Sequence, residues 1–415
     1  MTTNPPVTDW ATDYDIFAEE YVREPWPIWD ELRQTCPIAH SDRWGTSYLP
    51  TRYEDVVAIA HDVEHFSSRG VLVTGPRPGE EPEYELQPGE EIFANISAPP
   101  ITSDPPEHQW ARRLILPIFA PAAVAKYEEG TRELCHQLID GFIADGRADS
   151  AHDYAQQIPV RVIATMLGVG TERSDEFTQW VRGMLEVGAQ DPEVRVQAFR
   201  SIIEFFIGEV QDRKENPKAD LITEMLGFEV DGEPVPEYHI LGTCLLMLVA
   251  GVDTTWSSIG SAMWHFATNP QDRQRLRDEP ELWPTAIEEL LRAYSPVTMA
   301  RIVAADTEVK GCPMHEGERV LMAFPAANRD PEVFDRPNEV ILDREHNRHL
   351  AFGSGIHRCA GSNLARLELR VALQTWLERI PEFELEDPDA VVWAGGQVRG
   401  TRTAWVTFPP GSPRS

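Results

Sequence analysis

Two short stretches of the chain hold residue types that packing alone does not call for. The first, AFGSGIHRCAGSNLARLELR (351–370), sets Cys359 in a glycine-punctuated loop just ahead of a segment with amphipathic helical spacing. A thiol placed there feels the N-terminal dipole of the helix and the free amides of Ala360 and Gly361, features that favour a thiolate. On this fact alone Cys359 fits an inert core thiol or, with His357 close by, a nucleophile and its base. Neither reading accounts for the glycines. The second stretch, CLLMLVAGVDTTWSSIG (244–260), is an apolar helical pattern broken by Asp253, Thr254 and Thr255. Burying an unpaired carboxylate in such a helix is expensive. A carboxylate beside a hydroxyl is, however, a pairing that relays protons.

Composition narrows what these groups serve. The 415 residues are 42% hydrophobic and 25% charged, an ordinary soluble balance. Lys and Arg number 37 against 68 Asp and Glu, a net charge of −31. That field repels nucleic acid and anionic membrane surfaces, so neither is expected as a partner. Cys36, Cys135, Cys244, Cys312 and Cys359 are odd in number and contain no CxxC, against a disulfide framework or a zinc ribbon and in keeping with a reducing cytoplasm. The opening MTTNPPVTDWATDYDIF has neither a basic nor an apolar signal region. The longest apolar run, 240–252, is interrupted by Gly242 and Thr243 and is too short to span a bilayer.

The elements that must carry these residues are mostly helices. WPIWDELRQTCPI has helical spacing, and TSYLPTRYEDVVAIAHD reads as one or two strands followed by a helix. Residues 70–103 form a long irregular segment rich in Pro, Gly and Glu. In DPPEHQWARR, Asp104 and Glu107 stand at capping-box spacing, with His108 and Arg112 one turn apart. The helix bearing Asp253 is expected to begin at Pro236 and stop before Pro270, roughly 48 Å of helix. The chain therefore reads as one mainly α domain over 1–415, with a minor β portion near 40–70, 297–325 and 383–408 and helices near 104–296 and 359–380.

The cysteine loop matches F-x-x-G-x-x-x-C-x-G in full, through Phe352, Gly355, Cys359 and Gly361. It resembles the haem-binding loop of the cytochrome P-450 family, and the resemblance extends from about Trp26 to the C-terminal VRGTRTAWV, where Trp405 departs from the commoner Leu-Pro-Val ending. The resemblance implies the P-450 fold, with a long central helix over haem b and Cys359 as the iron ligand beneath it. By the same token Phe352, Gly353, Gly361, Ala250 and Gly251 border the porphyrin, the last two letting the helix open locally. His108, Arg112, Arg301 and His357 fall where the family holds the haem propionates. Glu289 and Arg292 of EELLR match the family's structural pair, which clamps the meander AANRDPEVFDRPNEVILDRE. Asp253 and Thr254 occupy the acid and alcohol positions of the family's oxygen-activating motif, while Thr255 is read as bonding within its own helix.

A monooxygenase is the function this resemblance implies, acting with O2 on a small or medium hydrophobic or aromatic molecule by hydroxylation or O-dealkylation. Leu246, Val249, Ala250, Val297 and Met299 are the expected pocket lining. No reductase segment is recognisable, so electrons are expected from a separate ferredoxin and its reductase. Residues 344–370 carry a local excess of arginine in an acidic chain, and with Arg113 alongside they suggest docking near Arg113, Arg358 and Arg366. An H2O2-driven peroxygenase is the alternative, disfavoured because it has no need of Asp253 and Thr254. A non-catalytic haem sensor would need an output module for which the sequence leaves no room.

Overall fold

The computed structural model of the protein describes residues 5–76, 93 and 96–414. Most of the irregular 70–103 segment lies outside these residues; its described ends, 70–76 and 96–103, hold neither helix nor strand.

The helix Glu237–Thr268 forms the axis of the molecule. It is apolar nearly all round, and a helix of that kind has to be enclosed. Helices Gln157–Leu167, Ser174–Leu185, Pro192–Glu215 and Ser362–Arg379 pack against it. By length and composition it could cross a membrane, yet 72% of its apolar window is buried inside the fold. Its ends follow local chemistry. Pro236 precedes the first turn, and Asn269, ahead of Pro270, closes the last with its N–H on the His265 carbonyl. The helix continues without interruption through Ala250 and Gly251, so the expected local opening is not present. Gly251 has a packing role instead: a Cβ there would come within 2.7 Å of the Ile163 side chain, which would have to shift.

The β portion forms a five-stranded sheet ordered Ile38–Ser41, Ser47–Pro50, Arg319–Ala323, Thr298–Val303, Phe66–Ser67. Only the pairing of Arg319–Ala323 with Ser47–Pro50 is parallel. Near the C-terminus, strand Gly400–Thr403 pairs with Val392–Ala394 and lies directly on the central helix. A Cβ on Gly400 would meet Ser257 at 2.3 Å, and one on Gly260 would meet Thr401 at the same distance. This close approach brings the side chain of Arg402 to the helix. Strand Arg147–Asp149, inside the stretch read as helical, pairs with Trp405–Thr407.

The capping box does not form. Helix Glu107–Ile115 starts without a side-chain cap. Asp104 instead accepts from Ser67 Oγ at 2.6 Å and from the Ser68 N–H at 2.8 Å, tying the entry of this helix to the edge strand of the sheet. The tertiary partner displaces the local one.

Candidate active site

A cavity separates the middle of the central helix from the cysteine loop. Leu246, Ala250, Gly251, Thr254 and Thr255 line it from the helix, and Phe352, Gly353, His357, Cys359 and Gly361 from the loop. Val297, Met299 and Arg301 close a third side. Met299 and Arg301 are two residues apart on strand Thr298–Val303 and therefore face the same way. Val249 is not part of the wall. At ~100° per residue it sits about 60° behind Leu246, and it packs into the helical core. Thr243 and Met247 line the cavity in its stead.

The loop is folded by its own backbone. The Cys359 N–H bonds to the Phe352 carbonyl at 2.8 Å, and the Gly353 N–H to that of Leu350 at 2.8 Å. Gly355 is left-handed (φ +69°), and a Cβ there would lie 2.3 Å from the Ala60 carbonyl oxygen. Only glycine fits both demands, and this contact seats the loop on helix Tyr53–His61. The surface that Cys359 exposes is cavity wall. Burial pushes its thiol up, against the Gly361 N–H and the guanidiniums of Arg112, Arg358 and Arg366. The helix-start position thus does not by itself yield a thiolate, because enclosure outweighs it. A coordinated metal cation would deprotonate the thiol outright.

Four cation-forming side chains converge beside this loop. The rings of His108 and His357 lie 4.3 Å apart. Both ring nitrogens of His108, and Nε2 of His357, are buried without a hydrogen-bond partner. Arg301 donates to the Ala300 carbonyl at 2.8 Å, and Arg112 to the Arg358 carbonyl. Burial drives Arg301 down to about 10. It likewise drives His357 down to about 3, helped by Arg301, His108 and Arg112. Among the described residues no carboxylate stands within ion-pair distance of any of the four, so the cluster is complementary to an anion supplied from outside the chain.

On the central helix the expected acid and alcohol diverge. Thr254 faces the cavity, its Oγ donating to the Ala250 carbonyl at 2.8 Å. Asp253 turns to the neighbouring side and is fully buried. Its Oδ1 accepts from Arg402 Nη2 at 2.9 Å and from Ser257 Oγ at 3.2 Å, while Oδ2 has no partner among the described residues. Burial raises the Asp253 carboxyl and Arg402 opposes that rise. No sequence signal singled out Arg402. Glu368, a cavity-lining carboxyl that burial pushes up to about 8, was also missed, since a Glu in an amphipathic helix reads as surface.

Glu289 and Arg292 are fully buried and joined by two hydrogen bonds of 2.8 Å. Arg292 also donates to the carbonyls of Asn328, Pro337 and Glu339, and Glu289 accepts from the Ile341 N–H, Arg344 and Asn347. Of the arginines between 344 and 370, Arg344 is thus engaged with Glu289, and Arg370 pairs with Glu128. Arg366 binds Glu288 through two nitrogens and stacks on the Phe352 ring at 4.4 Å. The positive excess read from the sequence is therefore largely consumed in ion pairs, and Arg366 is not a free docking charge. Arg113 and Arg358 are exposed.

The family model described as Cytochrome P450 matches residues 176–392. The chain is 32% identical over 376 residues to the mycinamicin IV hydroxylase/epoxidase of Micromonospora griseorubida, covering 89% of this chain and 91% of that protein. The chain belongs to the cytochrome P450 family. A steroid C26-monooxygenase of Mycobacterium tuberculosis is 31% identical across 99% of both chains. The solved structure of cytochrome P450 CYP109Q5 from Chondromyces apiculatus superposes with a TM-score of 0.84 at 30% identity, over 97% of this chain and 99% of that one. The protein is accordingly a haem-binding P450 monooxygenase.

Haem suits the cavity on the protein's own evidence. One cysteine lines it, and among the described residues no group of three His, Cys, Asp or Glu could hold a bare metal ion. A porphyrin brings its remaining iron ligands with it. Its two propionates would supply the anions that the orphaned nitrogens of His108 and His357 and the guanidiniums of Arg112 and Arg301 lack.

Proposed function

We propose that this P450 inserts one oxygen atom of O2 into a small or medium hydrophobic or aromatic molecule, by hydroxylation or O-dealkylation. The observation that carries the reading is that the Thr254 hydroxyl and the Cys359 sulfur line one cavity from two different elements. Bound haem, with Cys359 as its thiolate ligand, supplies the iron chemistry that activates oxygen and favours O–O cleavage. The chain supplies binding and protons. His108, Arg112, Arg301 and His357 hold the propionates, and Leu246, Ala250, Val297 and Met299 exclude water and orient an apolar substrate. Thr254 holds a proton donor at the cavity wall, and Asp253 passes protons to it from the protein interior. Relatives named a mycinamicin IV hydroxylase/epoxidase and a steroid C26-monooxygenase support oxygen insertion into an organic molecule.

Thr254→Ala is expected to keep haem and substrate binding while diverting most reducing equivalents to hydrogen peroxide. Asp253→Asn is expected to slow turnover by about a hundredfold or more with an enlarged solvent isotope effect, the scale of losing one acid–base group. Peroxide yield, product yield and NADH consumption measured together check both. Unchanged coupling and rate in the pair would instead favour a peroxygenase that takes H2O2 directly.

Electrons reach the haem from a separate ferredoxin in the cytoplasm. Support comes from the exposed Arg113 and Arg358, with exposed Leu116 and Ile356 beside them in sequence. Cationic and apolar groups around the cysteine loop suit a small acidic partner. Arg358 holds Arg112 through its backbone carbonyl, so its side chain can be reversed without breaking that contact. Reduction by ferredoxin should slow as salt rises, and Arg113→Glu with Arg358→Glu should slow it at least tenfold at low salt. A stopped-flow rate indifferent to both changes would place docking elsewhere.

A further inference from the structure

We infer that Arg402 is a positioning residue for oxygen activation: together with Glu186 it holds the buried Asp253 carboxylate in place and sets the pH at which it passes protons. The inference rests on the reading of Asp253 as a proton-relay group.

A chain of alternating charges runs from the end of helix Ser174–Leu185 into the core. Arg182, partly exposed, donates to Glu186 Oε1 at 2.7 Å. Glu186 Oε2 accepts from Arg402 Nε at 2.7 Å. Arg402 then reaches Ser257 Oγ at 3.0 Å through Nη1 and Asp253 Oδ1 at 2.9 Å through Nη2. Its guanidinium also lies over the Trp256 ring at 4.3 Å, which fixes the plane of the fork. Every nitrogen of Arg402 is thus committed, and only 6% of its side chain is exposed.

The arrangement does two things for Asp253. It anchors Oδ1 and leaves Oδ2 buried without a hydrogen-bond partner among the described residues, so that one carboxylate oxygen stays uncommitted. It also divides one guanidinium between two carboxylates, so that Asp253 receives only part of its stabilisation. Arg402 and Arg182 favour the ionised carboxylate, while burial and Glu186 oppose it. Strand Gly400–Thr403 contributes Arg402, and the end of helix Ser174–Leu185 contributes Arg182 and Glu186. Among the described residues no other charged side chain stands within ion-pair distance of Asp253, including those of helices Gln157–Leu167 and Ser362–Arg379. A relay fails once its carboxylate is protonated, so activity should fall with decreasing pH along an acid limb set by these three neighbours.

The test is a pair of charge removals in the haem-loaded enzyme that should act in opposite directions. Arg402→Gln removes the stabilising cation and should move the acid limb of turnover upward by about one pH unit or more, the scale of an Arg beside an Asp. Glu186→Gln hands Arg402 wholly to Asp253 and should move the limb downward. Infrared difference spectra, with the protonated-carboxyl band assigned by its loss in Asp253→Asn, should show the same two shifts without turnover. If Arg402→Gln fails to fold, Glu186→Gln decides the matter alone, because Arg402 stays in place. Equal slowing at every pH, with the carboxyl band unmoved, would make Arg402 a structural tie and overturn the inference. If Asp253→Asn itself turns over and couples like the wild type, the relay reading falls first. If that variant is slow and neither charge removal moves the limb, this inference falls alone.

Discussion

Cys359→Ala protein, reduced and exposed to carbon monoxide, will lack the red-shifted Soret band of a thiolate-ligated haem and will have no monooxygenase activity. The expectation rests on geometry. Cys359 offers a sulfur at the cavity wall, held by the backbone bond to Phe352 and by the seating of Gly355 on Ala60. No other cysteine lines the cavity. Burial would keep the free thiol protonated, so thiolate character has to come from coordination rather than from the loop alone. Haem retention is expected to fall less than activity, since His108, Arg112, Arg301 and His357, proposed to hold the propionates, remain. A persistent thiolate-type band in Cys359→Ala would show that another residue ligates the iron.

The second large effect is on assembly. Glu289→Ala is expected to destabilise the protein by about 3–5 kcal/mol, the scale on which breaking a buried ion pair leaves its partner uncompensated. Here two arginines lose out, because Glu289 serves both Arg292 and Arg344, and the Ile341 N–H and Asn347 lose an acceptor as well. Domains are commonly stable by only about 5–15 kcal/mol, so much of the margin goes. The pair holds carbonyls and amides between 328 and 347, the chain that leads straight into the cysteine loop. Haem content should therefore fall together with the urea midpoint. Glu289→Gln, which keeps shape and some hydrogen bonds but not the charge, should lie between. Wild-type midpoint and haem content in Glu289→Ala would remove the clamp role.

What the sequence by itself determined is local. The cysteine pattern was legible because its residues are contiguous and match the family loop in full, and Gly355 meets a local backbone demand at φ +69°. The central helix was legible because Pro236 and Pro270 bound an apolar run, and its end points differ from the reading by only a residue. The resemblance implied a pocket lined by Leu246, Val249, Ala250, Val297 and Met299; all but Val249 line the cavity, and Val249 lies a rotation of about 60° off its wall.

Tertiary structure decided whatever depended on partners distant along the chain. Arg402 meets Asp253 across 149 residues, and Arg366 meets Glu288 across 78. A count of charges along 344–370 cannot distinguish a guanidinium in solvent from one already bound to a carboxylate, and here three of the five arginines were bound. Asp104 shows the same thing at short range, leaving its own helix for Ser67 and Ser68. Backbone conformation is set mainly by near neighbours, so motifs and helix ends can be read from the sequence. The charge state and aim of a buried side chain depend on whichever residues the fold brings against it, and only the folded chain supplies those.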